Sequence, residues 1–217
     1  MFRLSDSRLM PNTGETPELR LARAVPLMGT PGQRYVENRG IPVHIAHEAG
    51  VRFDSDWNGR AAVIVPMRDF DGNLCSVHGR YLEQTGQQDK MLTIGPGGGA
   101  ISVLRGWRDE PIILVEGLFD ALSLAVCGRS SVATVGRWAP WLPQVCAGKV
   151  VWLAFDGNRP GEAEAARYKE SLSGAETRRL TPPAPSKDWN TALVKRGRAT
   201  VEIWLDRHLA AEQKISA

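Results

Sequence analysis

The chain has 217 residues, of which 42% are hydrophobic and 24% charged, and its formal net charge is +3. This composition excludes a disordered chain and is typical of a globular protein with one sizeable core or two modest ones. The small basic excess allows a nucleic-acid partner but does not indicate one, because proteins that bind nucleic acids usually carry a stronger basic signal. The most apolar region, 111–127, is interrupted by Glu116 and Asp120, which argues against a membrane span.

The three cysteines, Cys75, Cys127 and Cys146, lie in apolar surroundings and lack the spacing of a metal-binding or redox motif. They predict small core side chains in a reducing compartment. The first residues also lack the pattern of a secretory signal. We therefore expect a cytoplasmic protein with no membrane partner.

The first half of the chain predicts a small α+β subdomain over residues 30–108. Before it, residues 1–29 show little periodicity and predict a mobile N-terminal arm with a short helix near 17–24. Thr30 followed by Pro31 is typical of a helix N-terminus. The other predicted elements of this subdomain are a short helix over 42–50, strands over 62–67 and 74–78 joined by a turn, and two strands within 91–104.

The second half alternates between apolar runs of strand length and helical patterns. Over residues 109–197 this alternation predicts a parallel sheet with helices on both faces. The predicted strands are 112–115, 131–135, 150–155 and 177–180, and the predicted helices are 117–127, 138–147, 161–172 and 187–196. Residues 198–217 predict a C-terminal helix, because apolar residues recur at helical spacing over 199–213.

Acidic side chains follow two of these predicted strands directly. Glu116 ends the first apolar run and Asp156 ends the third. The carboxyl ends of parallel strands meet at one sheet edge, where open α/β folds bind ligands, and converging oxygens there suit Mg²⁺ or Mn²⁺. Glu116 alone is equally compatible with capping the next helix. Asp120, one helical turn later, is compatible with indirect metal binding or with a bond to an arginine.

Two segments resemble the signature of the Toprim domain, the metal-binding catalytic fold shared by DnaG-type primases, topoisomerases and certain nucleases. The family pattern is a Glu after the first strand and an Asp-x-Asp-x-x-Gly after a later one. Glu116 matches the first element, and Asp156 and Gly161 match the second. Asn158 stands in place of the middle acid, so the resemblance implies a more weakly charged metal site.

Further segments resemble the primase branch of the family in particular. Residues 187–190, Lys-Asp-Trp-Asn, are similar to its Lys/His-Asp-Pro-Asp element, with Asn190 in place of the last acid. The glycine-rich stretch 94–100 resembles Toprim proteins of phages and plasmids, which implies a mobile genetic element. The upstream segments that resemble parts of the primase core are 35–41, 65–69, 76–80 and 90–92.

The resemblance implies an α/β fold of Toprim type, a Rossmann-like parallel sheet with helices on both faces, preceded by a small α+β primase-like N-terminal subdomain. It also implies a DNA primase-like nucleotidyltransferase that uses Mg²⁺ or Mn²⁺ to make short RNA primers from NTPs on single-stranded DNA. The implied catalytic residues are Glu116 and Asp156, and the implied metal ligands are Glu116, Asp120, Asp156, Asn158 and Asp188. The residues implied to bind template or NTP phosphates are Arg68, Arg80, Lys90 and Lys187.

The expected partners follow from the same resemblance. Primases of this family ordinarily carry a zinc-ribbon module that helps to select the template, and no segment of the 217 residues has that pattern. A helicase domain would not fit after residue 200. We therefore expect a separate helicase or a separate zinc-bearing template-selection protein.

Two other functions stay open at this stage. A Toprim nuclease would use the same metals with water as the nucleophile, and the primase-like upstream segments favour the primase over it. A non-catalytic, single-stranded nucleic-acid-binding replication accessory protein is favoured by the neutral Asn158 and Asn190 and by the missing zinc module.

Overall fold

The computed structural model describes residues 16–84 and 89–210. The start of the predicted N-terminal arm, 1–15, and the end of the predicted C-terminal helix, 211–217, lie outside the described residues. The helices are α1 (Pro17–Arg23), α2 (Pro31–Glu37), α3 (Val43–Glu48), α4 (Leu118–Val126), α5 (Leu142–Cys146), α6 (Arg159–Ser171), α7 (Trp189–Arg196) and α8 (Arg198–Ala210). The strands are β1 (Val25–Pro26), β2 (Arg52–Trp57), β3 (Arg60–Arg68), β4 (Leu74–Tyr81), β5 (Met91–Ile94), β6 (Ile101–Val103), β7 (Ile112–Val115), β8 (Ser131–Ala133), β9 (Val150–Leu153) and β10 (Glu176–Arg179).

The N-terminal subdomain contains an antiparallel sheet with the order β1-β2-β3-β4-β5. Its centre is the predicted β3–β4 hairpin. Strand β2 was not predicted, because Asp54, Ser55 and Asp56 hide the strand pattern, yet Phe53 and Trp57 on it are buried.

The described part of the predicted arm, residues 16–29, belongs to this subdomain. Helix α1 covers one face of the sheet, where Arg20 is 4% exposed and stacks 5.5 Å from the Trp57 ring. Strand β1 pairs with β2 through Val25 and Phe53. Helix α1 agrees with the short helix predicted near 17–24. Residues 16–29 nevertheless pack against the sheet, a contact that the weak sequence periodicity did not reveal.

The second sheet has the order β10-β9-β7-β8-β6. Its first four strands are parallel, as predicted, and β6 runs antiparallel to β8 at the edge. Helices pack on both faces of this sheet, so the predicted fold class is confirmed. Strand β6 falls within the range predicted for the N-terminal subdomain, but it pairs with the second sheet instead.

One hydrophobic core joins the two sheets. Val63 and Val65 of β3 belong to the same buried cluster as Val115 of β7, Leu122 of α4 and Leu193 of α7. Burial of such side chains removes apolar surface from water and holds the sheets in a fixed relation. The carboxyl edge of the second sheet is thereby fixed opposite β4 and β5. No helix within the described residues is long and apolar enough to cross a membrane.

Candidate active site

A cavity of about 490 Å³ lies between the two sheets, at the carboxyl ends of β7 and β9. Arg80 of β4 and Lys90, next to β5, line it from the N-terminal subdomain, whereas Glu116 and Asp156 line it from the second sheet. The predicted site residues that line this cavity are Arg80, Lys90, Glu116, Asp120, Asp156, Lys187 and Asp188. The cavity thus has an acidic side and a basic side.

Hydrogen bonds to their backbone carbonyl oxygens hold Glu116 and Asp156 near the ends of β7 and β9. The Val135 amide donates to the Glu116 carbonyl oxygen at 2.8 Å, and an Arg179 Nη2 donates to the Asp156 carbonyl oxygen at 2.6 Å. A Cβ atom at Gly161 would lie 2.1 Å from that Asp156 carbonyl oxygen. The glycine of the signature is therefore required sterically, because the start of α6 passes directly over the residue that carries the acid.

Burial and neighbouring acids outweigh the nearby cations at both carboxylates. Desolvation and then the negative charge of Asp156 raise the pKa of Glu116, while desolvation and then Asp188 raise the pKa of Asp156. Hard oxygen donors that repel one another suit a divalent cation such as Mg²⁺ or Mn²⁺. Among the described residues, no group of three or more His, Cys, Asp or Glu side chains is arranged to hold a metal. Glu116 and Asp156 could hold a cation together with phosphate or water oxygens.

Asp120 has a different environment from the one predicted. Its Oδ1 accepts from the backbone amides of Trp189 at 3.0 Å and Asn190 at 3.3 Å, at the N-terminus of α7. Desolvation, followed by the negative charges of Asp188 and Asp156, raises the pKa of Asp120 to about 7. Carboxylates are favoured at helix N-termini. The contacts therefore assign Asp120 to docking α7 onto α4, and its predicted role as a metal ligand is not supported.

Asp188 is the N-cap of α7. Its Oδ1 accepts from the Thr191 amide at 2.6 Å, and its Oδ2 lies 3.7 Å from Lys187 Nζ. One carboxylate oxygen is thus committed to the helix and the other to a weak, exposed ion pair. Of the predicted acids, Glu116 and Asp156 remain the two without such a capping bond.

Asn158 lies outside the cavity, in the neighbouring groove beside α6. Its Oδ1 accepts from the Gly161 amide at 2.9 Å and caps α6, while its Nδ2 donates to Asp156 Oδ2 at 3.2 Å. The cap fixes the orientation of the amide, since only the oxygen can accept from a backbone N–H. Asn158 thus points its side-chain nitrogen towards Asp156 and orients that carboxylate through a hydrogen bond. It does not present the oxygen that was predicted as a metal ligand.

We expect Asn158→Asp to destabilise the metal-free protein while it strengthens Mg²⁺ binding. The new carboxylate would face Asp156 without the hydrogen bond, at a cost of about 1–3 kcal/mol. The added charge should raise Mg²⁺ affinity by about tenfold, and Mn²⁺ affinity by less. Thermal unfolding and calorimetric metal titration measure both effects. Asn158→Ser is the matched control, because a hydroxyl keeps the cap; an unchanged Mg²⁺ affinity in Asn158→Asp would contradict the expectation.

Two family models match parts of the chain. A family described as Toprim-like matches residues 113–193, and a domain of unknown function (DUF7146) matches residues 19–101. Residues 113–193 of the chain are a Toprim-like domain. The matched range holds the four acids that line the cavity, Glu116, Asp120, Asp156 and Asp188.

Solved structures share the fold of this Toprim protein. The RNA polymerase domain of Mycobacterium tuberculosis primase DnaG matches at a TM-score of 0.68 and 16% identity, over 88% of this chain and 81% of that chain. A DnaG primase catalytic domain bound to ssDNA matches at 0.64 and 20%, over 88% and 77%. The Aquifex aeolicus primase structure, with zinc-binding and RNA polymerase domains, matches at 0.62 and 17%, over 83% of this chain but only 57% of that chain. The predicted resemblance to a primase catalytic core is thus confirmed at the level of fold. No curated protein matches the chain.

Arg68 lies apart from the cavity of the Toprim protein. It occupies the turn end of the hairpin, where its Nη1 donates to the Gly72 carbonyl oxygen at 2.9 Å, and it lines a small pocket with Trp107 and Trp141. The predicted common basic face of Arg68, Arg80 and Lys90 is therefore wrong for Arg68. Strand pairing explains the separation, because Arg80 pairs with Val63, near the opposite end of β3.

Among the cavity-lining residues that were not predicted as site residues, three carry side-chain nitrogen atoms: Arg39, His78 and Asn190. Arg39 and His78 lie within segments that resemble the primase core, so the resemblance marked their neighbourhoods but gave them no role. Asn190 was interpreted only as a lost acid. Its contacts depend on side chains more than 60 residues away in the sequence, which no local pattern reveals.

We expect His78 to make the Toprim protein acid-labile. Burial, followed by the positive charges of Arg80 and Arg137, lowers the pKa of His78 from 6.5 to about 4. The unfolded chain therefore binds this proton at a higher pH than the folded chain, so stability present at pH 7 is lost as the pH falls from 6.5 towards 4, by up to about 3 kcal/mol. Chemical unfolding at pH 7.5 and pH 5 should show a smaller difference for His78→Gln than for the unmodified protein. Equal differences would contradict the expectation.

Proposed function

We propose that this Toprim protein is a primase-like nucleotidyltransferase that makes short RNA primers on single-stranded DNA with Mg²⁺ or Mn²⁺. One observation carries the proposal: Glu116 and Asp156 face Arg80 and Lys90 across a single cavity. A cation-binding acidic side and a phosphate-binding basic side are what template-directed phosphoryl transfer requires. A ligand with both metal-bound and free phosphates, such as an NTP on a template, fits this division of charge.

Each group has a role in the proposed reaction. A 3′-hydroxyl oxygen attacks the α-phosphorus of an NTP, the bond from that phosphorus to the bridging oxygen breaks, and pyrophosphate leaves. A divalent cation, when bound, supplies charge stabilisation for the α-phosphate and the leaving group. Glu116 and Asp156 hold the cation, and Arg80, Lys90 and Lys187 hold phosphates. The resemblance to primases also allows Glu116 to accept the proton of the attacking hydroxyl.

The structural relatives are the basis for the proposed template and partners. Because a structural relative is a DnaG primase catalytic domain bound to ssDNA, we propose single-stranded DNA as the template here. The chain spans 57% of the Aquifex structure, which includes a zinc-binding domain. We propose that a zinc-bearing module or a helicase takes part in template selection or unwinding. We also propose that the protein acts in the cytoplasm on behalf of a phage, plasmid or other mobile genetic element.

One assay tests the proposed reaction directly. Purified protein is incubated with single-stranded DNA, labelled NTPs and either Mg²⁺ or Mn²⁺, and the RNA products and the template are both resolved by length. Short RNA products that require the template and the metal support the primase proposal. Template cleavage without RNA synthesis would support a Toprim nuclease instead.

A second candidate, a non-catalytic single-strand-binding accessory protein, is favoured by one observation. Asn158 and Asn190 are both committed to hydrogen bonds within the protein, and Asp188 caps α7, so the described residues supply few free metal ligands. This candidate predicts binding of single-stranded DNA without RNA synthesis or cleavage in either metal.

A further inference from the structure

Asn190 lies at the point where the N-terminal subdomain meets the Toprim domain beside the cavity. It is 8% exposed, in the first turn of α7. Its Oδ1 accepts from Arg39 Nη1 at 3.2 Å, and its Nδ2 donates to the Arg39 carbonyl oxygen at 2.9 Å and to Ser123 Oγ at 3.0 Å. The oxygen and the nitrogen of the Asn190 side chain thus both bind Arg39, which lies just after α2.

The hydrogen-bond network favours an amide at this position. The Ser123 hydroxyl donates to the Phe119 carbonyl oxygen at 2.6 Å, so its oxygen must accept from Asn190. An aspartate would place a carboxylate oxygen against the Arg39 carbonyl, which can only accept, and a negative charge beside the Asp120 carboxylate, which accepts from the Asn190 backbone amide. The acid that the primase pattern carries here would therefore disrupt this network.

Arg39 is held rigidly at the cavity wall. Its guanidinium lies 4.9 Å from the Tyr35 ring centroid and 4.4 Å from that of Phe119, and its Nη2 donates to the Tyr35 hydroxyl at 3.1 Å. The Arg39 Nε is buried and has no hydrogen-bond partner within the described residues. A guanidinium has five N–H donors, of which these bonds use two, so donors remain for an anion in the cavity.

We propose that Asn190 is a positioning residue, whose amide holds Arg39 at the cavity wall so that Arg39 binds a phosphate group. The ligand class, a nucleoside triphosphate or the template strand, rests on the proposed function. The positioning role itself deepens that function, because it assigns a task to a residue that the sequence alone marks only as a missing acid. Pre-organised cations bind phosphate more tightly, since less side-chain freedom is lost on binding.

A double-mutant cycle tests this coupling. Isothermal titration calorimetry at fixed salt measures the affinity of the full chain for inorganic triphosphate with Mg²⁺ and, separately, for an oligodeoxythymidine. The four proteins are the unmodified chain, Arg39→Ala, Asn190→Ala and the double variant. We expect each single variant to lose about tenfold in affinity for the same ligand, roughly the effect of one charge-assisted hydrogen bond. The double variant should lose no more than Arg39→Ala, because Asn190 acts through Arg39.

The ligand that responds identifies the source of the phosphate, nucleotide or template. Additive losses, an unchanged affinity in Asn190→Ala, or no binding of either ligand by the unmodified chain would each overturn the proposal. Should Asn190→Ala fail to fold, Ser123→Ala removes one partner of the amide without touching the cavity, and a smaller loss of the same sign is expected; no loss would overturn the proposal. Because these measurements require no turnover, absent primer synthesis would reject the proposed function while leaving the coupling between Asn190 and Arg39 intact.

Discussion

Glu116→Gln and Asp156→Asn should each reduce primer synthesis by at least about a hundredfold, because each removes a charged ligand from the same cation. Both variants should also lose most of their affinity for Mn²⁺ in a titration followed by electron paramagnetic resonance. This second measurement does not depend on turnover. Glu164→Gln is a suitable control, because Glu164 contributes to the negative potential at Glu116 but does not line the cavity. We expect only a small change in that variant.

The same two substitutions should stabilise the metal-free protein at neutral pH. The pKa of each carboxyl is raised on folding, from its ordinary value of 4.5 for Glu116 and 3.8 for Asp156, so the charged form destabilises the folded state. This penalty is absent well below the ordinary values, grows as the pH rises towards the raised values, and is fully present above them. The midpoint of thermal unfolding should therefore rise for Glu116→Gln and Asp156→Asn at pH 8, and rise less at pH 4. Retained synthesis, or a lower midpoint at pH 8, would contradict the assignment of these residues to a cation site.

The predicted fold was accurate where hydrophobic periodicity is strong. Strands β7 and β9 are uninterrupted apolar runs, and such runs, alternating with helices, indicate a buried parallel sheet. Strand β2 escaped prediction because its burial depends on helix α1 and on β3, which cover it from elsewhere in the chain. Strand β6 was assigned to the wrong sheet, because a three-residue strand carries no information about its partner.

The candidate site likewise contains residues whose positions follow from the sequence and residues whose roles do not. The positions of Glu116 and Asp156 follow from topology alone, since the carboxyl ends of adjacent parallel strands must meet. The roles of Asp120, Asn158 and Asn190 depend on individual hydrogen bonds to backbone atoms. The spacing of these residues in the sequence does not reveal whether each one binds a metal or caps a helix. An acid or amide beside a helix N-terminus has both possibilities until the neighbouring donors are located.

The separation of Arg68 from Arg80 could have been predicted. The turn at Asp71 to Asn73 defines the hairpin, and antiparallel pairing places Arg68 opposite Leu74, near the turn, while Arg80 lies opposite Val63. Five residues of strand separate these positions, roughly 16 Å at about 3.3 Å per residue. The sequence interpretation grouped the two arginines by their resemblance to primase segments and did not apply this geometry.

The second large expected effect concerns Arg80 and Lys90, two basic residues that line the cavity. Arg80→Ala combined with Lys90→Ala should weaken binding of single-stranded DNA by roughly ten- to a hundredfold at moderate salt, because both side chains line the cavity and phosphate contacts dominate such affinity. The slope of log affinity against log salt should flatten by about 0.7 for each lost contact, the value typical of single strands. Fluorescence anisotropy with a labelled oligonucleotide over a salt series measures both quantities.

Arg68→Ala is the matched control for Arg80→Ala measured alone, because each removes one charge from the same hairpin and Arg68 lies outside the cavity. Its affinity and salt slope should remain close to those of the unmodified chain, apart from a weak long-range effect that salt screens. If Arg68→Ala instead weakens binding as much as Arg80→Ala does, the strand follows the hairpin surface and not the cavity. In that case Glu116 and Asp156 would not lie on the path of the template, and the primase proposal would lose its main support. An unchanged salt slope in the double variant would likewise exclude Arg80 and Lys90 as phosphate contacts, whatever the effect on synthesis.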